Sequence, residues 1–199
     1  MDYHFFATVS RMKYIERWAL MRSSRRENLS EHSLEVAMIA HALCLLANVR
    51  YGKKLPAEKA ALIGLYHDVS EIITGDMPTP VKYGNDNIRI SYHEVEDDAK
   101  RRLLSKLPED LQPYYSDILT EESEDENDRY LYQLVKAADK MSAYIKCIEE
   151  RQAGNREFET ALISIEKKLR EIAKEYPEVK DYMEDFLPAY GETLDTLLG

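Results

Sequence analysis

The sequence is poor in residues that form covalent cross-links and tight turns. Its 199 residues include only two cysteines, seven glycines and seven prolines. Cys44 and Cys147 stand alone in helical, partly apolar stretches, so they form neither a CxxC motif nor a disulfide framework. We interpret both as small core residues of a protein from a reducing compartment.

Two kinds of targeting signal are also missing. The N-terminus carries the acidic Asp2 and does not show the basic-then-apolar pattern of a secretory signal. No apolar run approaches the ~20 residues that a membrane span requires. These absences predict a cytoplasmic protein without a membrane partner.

Positive charge is scarce in this chain. There are 27 Lys and Arg residues against 37 Asp and Glu residues, which gives a formal net charge of −10. Because nucleic-acid polymers are bound by neutralising their phosphates, this balance argues against DNA or RNA as a partner. A small anionic substrate would have to be met by local cations or by a metal ion.

Helix-forming residues, by contrast, are abundant. Ala, Leu, Glu and Lys dominate the composition, and the hydrophobic content of 44% is enough for a folded core. We predict an all-α fold without a sheet, in which residues 1–199 form one helical-bundle domain. Apolar periodicity and Ser30 as a cap predict helices at about residues 5–18, 30–47, 57–74, 88–107, 109–119, 130–151, 158–176 and 179–198, with an extended stiff loop at 76–80.

The least expected dipeptide is His67-Asp68, which follows the apolar stretch 57–66. Charged groups inside an apolar helix are costly unless they are paired or bind a metal. Glu71 lies four residues after His67 and three after Asp68, so a continuous helix would bring all three to one side. These are the groups that a hydrolase needs to activate water on a metal. Taken alone, such a pair is more often a helix cap or a surface ion pair.

Two further elements match this pair. Ser30-Glu31-His32-Ser33 lies about one helix-loop-helix unit upstream, and Lys136-Ala137-Ala138-Asp139-Lys140 lies on the long downstream helix. The ordered set resembles the HD-domain metal-dependent phosphohydrolases, with His32, His67, Asp68 and Asp139 at the four ligand positions of that family. Two imidazoles and two carboxylates, without sulfur, suit one divalent ion such as Co²⁺, Mn²⁺, Fe²⁺ or Zn²⁺.

The resemblance narrows to the bacterial 5'-deoxynucleotidases of the YfbR type and runs from about residue 5 to residue 190. The bare His-Asp pair is weak evidence, whereas the ordered set of motifs is strong. The matching segments are Arg17-Trp18, Glu27-Asn28-Leu29-Ser30-Glu31-His32-Ser33, His67-Asp68-Val69-Ser70-Glu71, Thr74-Gly75-Asp76-Met77-Pro78-Thr79-Pro80-Val81-Lys82 and Lys136-Ala137-Ala138-Asp139.

This resemblance implies a homodimer that hydrolyses 2'-deoxyribonucleoside 5'-monophosphates to a deoxynucleoside and phosphate with one divalent metal ion. It implies that Glu71 is the catalytic acid or base and that Arg17, also catalytic, holds the phosphate. Val69 is a departure, since alanine is more typical there, but it is not a ligand. Contacts to the small-molecule deoxynucleotide are implied for Arg17, Trp18, His67, Asp76, Thr79, Pro80, Val81, Lys82 and Asp139.

Two alternatives stay open at this point. Another HD phosphohydrolase, acting on a nucleoside triphosphate or a cyclic or alarmone nucleotide, would use the same ligands. A non-catalytic, metal-stabilised nucleotide-binding module would also retain them, but it would have no need of Glu71.

The basic stretch with Arg22, Arg25 and Arg26 could be either a solvated surface or a substrate-facing loop.

Overall fold

The computed structural model describes residues 3–82, 84–120, 123 and 125–199, and for Thr79 and Pro80 it describes the backbone alone. These residues contain no strand, and one isolated antiparallel bridge joins Glu16 to Asn28. The predicted all-α fold is therefore confirmed. The α-helices are α1 (Phe5–Val9), α2 (Leu29–Tyr51), α3 (Ala57–Tyr66), α4 (Glu71–Thr74), α5 (Thr79–Lys82), α6 (Asp86–Leu104), α7 (Gln112–Leu119), α8 (Glu126–Gln152), α9 (Glu159–Ile172), α10 (Pro177–Asp185) and α11 (Leu194–Leu198), and 3-10 helices cover Ser10–Tyr14, Arg156–Phe158 and Leu187–Ala189.

The core is organised around α2, which packs against α3, α8 and α10. Because α2, α8 and the turn after α3 carry the predicted metal ligands, the packing of these helices also sets the distances between the ligands. The buried stripe of α8 consists of Leu131, Leu134, Ala138, Met141, Ile145 and Ile148.

Helices α3 and α2 approach each other closely at Gly64. A Cβ atom added there would lie 2.7 Å from the Cα atom and 2.9 Å from the backbone nitrogen of Ala37. Neither backbone atom can move without shifting α2. Glycine is therefore required at this position to let the two helices meet, three residues before His67.

We expect Gly64→Ala to destabilise the protein by about 1–3 kcal/mol, the usual cost of overpacking a core. Helix propensity alone would give the opposite sign, because alanine in a helix is favoured over glycine by about 1 kcal/mol. Urea unfolding of the two proteins decides between these effects. A variant midpoint equal to or above that of the wild type would show that α2 and α3 separate without cost.

The predicted helix over residues 5–18 is wrong in its second half. The chain leaves the 3-10 helix at Tyr14 and becomes extended, with Ile15 at φ −100°. Backbone hydrogen bonds from Arg17 to the Glu27 carbonyl and from Leu29 to the Ile15 carbonyl then pair this segment with the chain entering α2. Tertiary pairing therefore overrides the helical periodicity.

The start of α2 also differs from the prediction. The cap is Asn28 and not Ser30, because the Asn28 side chain accepts hydrogen bonds from the backbone of Ser30 and Glu31. The Glu31 carboxylate accepts the Asn28 backbone N–H in return, which completes a capping box. This cap fixes the first turn, in which His32 lies.

The prediction that His67-Asp68 lies inside a continuous helix is wrong as well. α3 ends at Tyr66, residues 67–70 form a turn, and α4 starts at Glu71. The predicted stop near Gly75 is confirmed, since this glycine has φ 72°. Because of this break between α3 and α4, His67, Asp68 and Glu71 do not lie on one face of a continuous helix as expected.

Two other boundaries need correction. The loop at 76–80 is not extended throughout, because α5 begins at Thr79, and proline is tolerated in a first helical turn where no N–H donor is required. The helix predicted over 179–198 is divided into α10, a 3-10 turn and α11. Pro188 lies in that 3-10 turn, and Gly191 has the left-handed φ of 86°.

Among the described residues, one helix, α2, is long and apolar enough to cross a membrane by its length and composition. It is an exception to the expectation that no apolar stretch reaches that length. Half of its most apolar 18-residue stretch is buried inside the protein, as is usual for the central helix of a folded core.

Candidate metal centre and active site

Four side chains meet where α2, the α3–α4 turn and α8 converge. His32, His67, Asp68 and Asp139 each offer one ligand atom, and these atoms all lie within 4.8 Å of one another. His32 Nε2 lies 3.2 Å from Asp139 Oδ1 and 3.5 Å from Asp68 Oδ2, while His67 Nε2 lies 3.0 Å from Asp68 Oδ2. The structure thus brings together all four residues that the sequence predicts as ligands.

The histidine rings are held through their Nδ1 atoms. His67 Nδ1 lies 2.8 Å from the Gly64 carbonyl oxygen. Because a carbonyl only accepts hydrogen bonds, Nδ1 carries a proton, and the neutral ring has its lone pair on Nε2. His32 Nδ1 lies 2.9 Å from the hydroxyl of Ser142. Within the described chain, both Nε2 atoms are buried and have no hydrogen bond of good geometry.

This donor set fits a divalent metal ion. Buried imidazole nitrogens are normally hydrogen-bonded, and here two of them are unsatisfied beside two carboxylates. Fixing a ligand imidazole through its other nitrogen is the usual arrangement around a metal. The chemistry and the orphaned nitrogens together indicate a metal centre that these four residues would hold.

The electrostatics of the cluster favour added positive charge. Burial alone would raise the pKa of Asp139, but the adjacent His32 and the charge on His67 hold it below its usual range. Burial likewise works to lower the pKa of His67, but Asp68 raises it to about 9. Both shifts have the same cause, since two carboxylates in a poorly solvated site require a cation, either a proton or a metal.

Arg17 lies at the edge of the cluster. Its Nη1 donates to Glu27 Oε1 at 2.8 Å, and its Nη2 lies 3.9 Å from Asp139 Oδ1. The side chain is only 11% exposed, and Nε has no hydrogen-bond partner among the described residues. Glu27 therefore anchors one side of a guanidinium whose remaining donors are available for an anion beside the ligands.

Trp18 and Asp76 form a second contact close to Arg17. The Trp18 backbone N–H donates to Asp76 Oδ2 at 3.2 Å, and Trp18 has φ 58°. A left-handed backbone is unusual for a bulky residue and is retained where the surroundings enforce it. The indole packs edge-on against Phe158, with ring centroids 5.3 Å apart. Trp18 is therefore a fixed apolar wall beside Arg17.

Glu71 is buried, and its Oε2 atom has no hydrogen-bond partner among the described residues. Burial, with the charges of Asp68 and Asp76 adding to it, raises the pKa of Glu71 to about 10. Lys82 and Arg17 oppose that rise. Glu71 is thus a carboxyl group with a high proton affinity and an unused oxygen next to the proposed ligands.

A cavity of about 260 Å³ opens beside the cluster. Its lining includes His67, Asp68, Asp139 and Lys82, and the Lys82 Nζ donates to Glu96 Oε1 at 2.7 Å. Val81 is half exposed and does not line this cavity. The predicted contacts of the Thr79 and Pro80 side chains lie outside what the structure describes.

The basic stretch after Trp18 forms surface ion pairs. Its three arginine side chains are between 73% and 91% exposed and contact carboxylates, so the structure favours the solvated-surface alternative. The backbone at Ser24 and Arg25 is held by the buried Glu150 carboxylate. The surface pairs are Arg22 with Glu157, Arg25 with Glu31 and Arg26 with Glu16.

Sequence reasoning assigned no role to the residues that hold Arg17 and the proposed ligand His32 in place. Glu27 anchors Arg17, while Ser142 contacts His32 and in turn donates to Glu35. A signal was present, since Ser142 lies three residues after Asp139 and Glu35 three residues after His32, one turn along each ligand helix. The contact between those two turns could be read only from the fold.

The chain is similar to known proteins over nearly its whole length. Residues 4–190 match the family model described as 5'-deoxynucleotidase YfbR-like. A 5'-deoxynucleotidase from Erwinia tasmaniensis is 46% identical over 194 residues, which cover 98% of this chain and 96% of that protein. The 5'-deoxynucleotidase YfbR of Escherichia coli O1:K1 is 44% identical, covering 98% of this chain and 95% of the relative.

Solved structures show the same fold. An HD-domain phosphohydrolase from Listeria innocua superposes with a TM-score of 0.79 at 24% identity, covering 94% of this chain and 88% of that one. An HD phosphohydrolase of cyanophage S-2L, bound to dA and one catalytic Zn²⁺ ion, gives a TM-score of 0.62 at 18% identity, with 92% and 95% covered. At these identities the likeness concerns the fold.

Proposed function

This chain belongs to the YfbR-like 5'-deoxynucleotidase family, and we propose that the cluster around His67 and Asp68 carries out the reaction of that family. The enzyme hydrolyses 2'-deoxyribonucleoside 5'-monophosphates to a deoxynucleoside and inorganic phosphate, with a divalent metal ion. The observation that carries the assignment of the site is the pair of buried, unsatisfied Nε2 atoms facing Asp68 and Asp139.

His32, His67, Asp68 and Asp139 would hold the ion, and we propose Co²⁺, Mn²⁺, Fe²⁺ or Zn²⁺ as the candidates, because mixed nitrogen and oxygen donors suit these metals. A bound divalent ion supplies a Lewis acid for the phosphoryl oxygen and lowers the pKa of a water molecule. The similarity to a phosphohydrolase that is bound to a catalytic Zn²⁺ ion supports a metal of this kind.

Arg17 holds two phosphate oxygens through its planar guanidinium, which Glu27 orients from behind. Glu71 takes a proton from the attacking water as the new phosphorus–oxygen bond forms. It returns a proton to the 5'-oxygen as the bond between that oxygen and phosphorus breaks. The raised proton affinity of Glu71 suits the return of the proton to the leaving oxygen, and its Oε2 atom is free to face the water. The positive charge of a bound metal ion would favour the carboxylate form that the first step needs.

Trp18 and Asp76 set the choice of sugar in this proposal. Asp76 accepts a hydrogen bond from the 3'-hydroxyl with the oxygen that Trp18 does not use, and the rigid Trp18 wall leaves no room for a 2'-hydroxyl. A soft apolar pocket would discriminate poorly against an added hydroxyl, so the fixed backbone of Trp18 matters. Residues 79–82, with Thr79, Pro80, Val81 and Lys82, contact the rest of the nucleotide.

We expect Trp18→Ala to lower the ratio of kcat/KM for dAMP over that for AMP by about tenfold or more, because the wall that excludes the ribose hydroxyl is lost. It should also raise KM for dAMP. Asp76→Ala should reduce activity on dAMP itself. Tyr14→Ala removes an exposed aromatic side chain from the same segment and should leave the ratio unchanged. An unchanged ratio in Trp18→Ala would assign sugar selection to other residues.

We further propose that residues 1–199 act as a single domain in a cytoplasmic homodimer, with no nucleic-acid or membrane partner. The net charge of −10 and the two buried, unpaired cysteines support a reducing compartment and a small-molecule substrate. Light scattering of the purified protein during size-exclusion chromatography tests the dimer. A mass of one chain at micromolar concentration would contradict it.

A further inference from the structure

The two histidines of the cluster are fixed by different kinds of partner. His67 is fixed by a carbonyl oxygen, which can only accept a hydrogen bond. His32 is fixed by the hydroxyl of Ser142, which can donate as well as accept. A hydroxyl alone leaves open which nitrogen of His32 carries the proton, and only one of the two tautomers presents a lone pair on Nε2 towards Asp139.

A carboxylate removes this ambiguity. Ser142 Oγ lies 2.5 Å from Glu35 Oε2 and donates its hydrogen to it. The lone pairs of Oγ then accept from His32 Nδ1–H, which places the free lone pair of His32 on Nε2. We propose that Ser142 and Glu35 act as positioning residues that fix the tautomer and the ring orientation of His32 for metal binding. The proposal rests on the metal site of the proposed function.

The geometry of the two helices supports this role. Ser142 is fully buried on α8, one turn after Asp139, and Glu35 is half-buried on α2, one turn after His32. The chain of hydrogen bonds therefore joins the two helices that each carry a ligand. Glu27 Oε1 also lies near His32 Nδ1, but at 3.6 Å it is beyond hydrogen-bond distance, and it is engaged by Arg17.

Ser33→Ala provides a matched control. Ser33 is the residue after His32, is also buried, and its hydroxyl has no hydrogen-bond partner among the described residues. For Glu35 the control is Glu149→Ala. Both glutamates line a second cavity, beside His32, so each substitution removes one negative charge from it. Glu149 is exposed, and among the described residues it forms no hydrogen bond with His32, Ser142 or Glu35.

The test is zinc affinity, measured on chelator-stripped protein by competition with a chromophoric chelator. We expect Ser142→Ala to weaken the Kd by about 10- to 100-fold, the usual effect of removing a partner of a ligand histidine. Glu35→Ala should weaken it by a smaller factor, because the freed hydroxyl still contacts His32. Ser33→Ala and Glu149→Ala should stay within about twofold of the wild type.

Further readouts separate positioning from folding and from the proposed activity. The metal-free Tm of Ser142→Ala should fall by about 4–8 °C, the effect of losing two hydrogen bonds of about 1 kcal/mol each in a chain of this size. If Ser142→Ala does not fold, Glu35→Ala decides. A zinc Kd equal to that of the wild type in a folded Ser142→Ala or Glu35→Ala variant overturns the positioning role, even if dAMP is hydrolysed. A weakened Kd upholds it, even if dAMP is not a substrate.

Discussion

Replacing Asp139 by alanine should remove both the metal and the activity. Asp139 supplies one of the two carboxylates of the cluster, and its Oδ1 atom lies 3.2 Å from His32 Nε2. Metal stabilisation of a phosphoryl-transfer transition state supplies several kcal/mol, so we expect kcat/KM on dAMP to fall by about 10³-fold or more. Elemental analysis of the purified variant should show little bound metal.

A second measurement on this variant uses thermal stability. A ligand that binds only the folded state stabilises it by about 4 kcal/mol at a concentration 1,000 times its Kd. Added metal should therefore raise the Tm of the wild type but not that of Asp139→Ala. Metal binding should have this effect on Tm because the four proposed ligands join α2, α8 and the α3–α4 turn.

Asp128→Ala is the matched control for this substitution. It removes an aspartate from the same helix that pairs with Lys59 at 3.0 Å, outside the cluster. We expect a small loss of stability, up to about 1 kcal/mol, with full metal content and activity. Undiminished metal in Asp139→Ala would exclude Asp139 from the ligand set.

Replacing Glu71 by glutamine should separate catalysis from metal binding. The amide keeps the shape of the side chain but cannot take a proton from water. We expect metal content to be retained and kcat to fall by about 10²–10⁴-fold, the range for a positioned general acid or base. Metal analysis and steady-state phosphate release on the same preparation give both numbers.

The chain offers a close control for Glu71→Gln. Glu178 is also a buried glutamate with one carboxylate oxygen that lacks a hydrogen-bond partner among the described residues, but it contacts Tyr130 at the far end of α8. Glu178→Gln should leave turnover unchanged. Near wild-type turnover in Glu71→Gln would reduce Glu71 to a structural carboxyl group, while metal loss would make it a ligand.

The proposed ligand set followed from the resemblance of the ordered motifs around His32, His67-Asp68 and Asp139 to a known family, since only the His67-Asp68 pair carries a local signal of its own. The His67-Asp68 pair follows an apolar stretch, and His32 and Asp139 lie at matching places on the helices before and after it. The fold class followed from composition and apolar periodicity. Neither inference needed knowledge of long-range contacts.

The errors arose where long-range contacts overrule local preference. Periodicity continued the first helix through Trp18, but backbone pairing with the segment before α2 draws Arg17 and Trp18 out of it. Ser30 and Asn28 are both good caps, and the reciprocal bond to Glu31 selects Asn28. The support of His32 by Ser142 spans 110 residues, so no sequence window contains it.

The most direct test of the whole account is the release of phosphate from dAMP and from AMP by chelator-stripped protein, with and without a divalent metal. We expect no turnover without metal, turnover of dAMP once Co²⁺, Mn²⁺ or Zn²⁺ is restored, and a lower kcat/KM for AMP than for dAMP. Phosphate release that is indifferent to the metal, or a restored enzyme that does not hydrolyse dAMP, would contradict it.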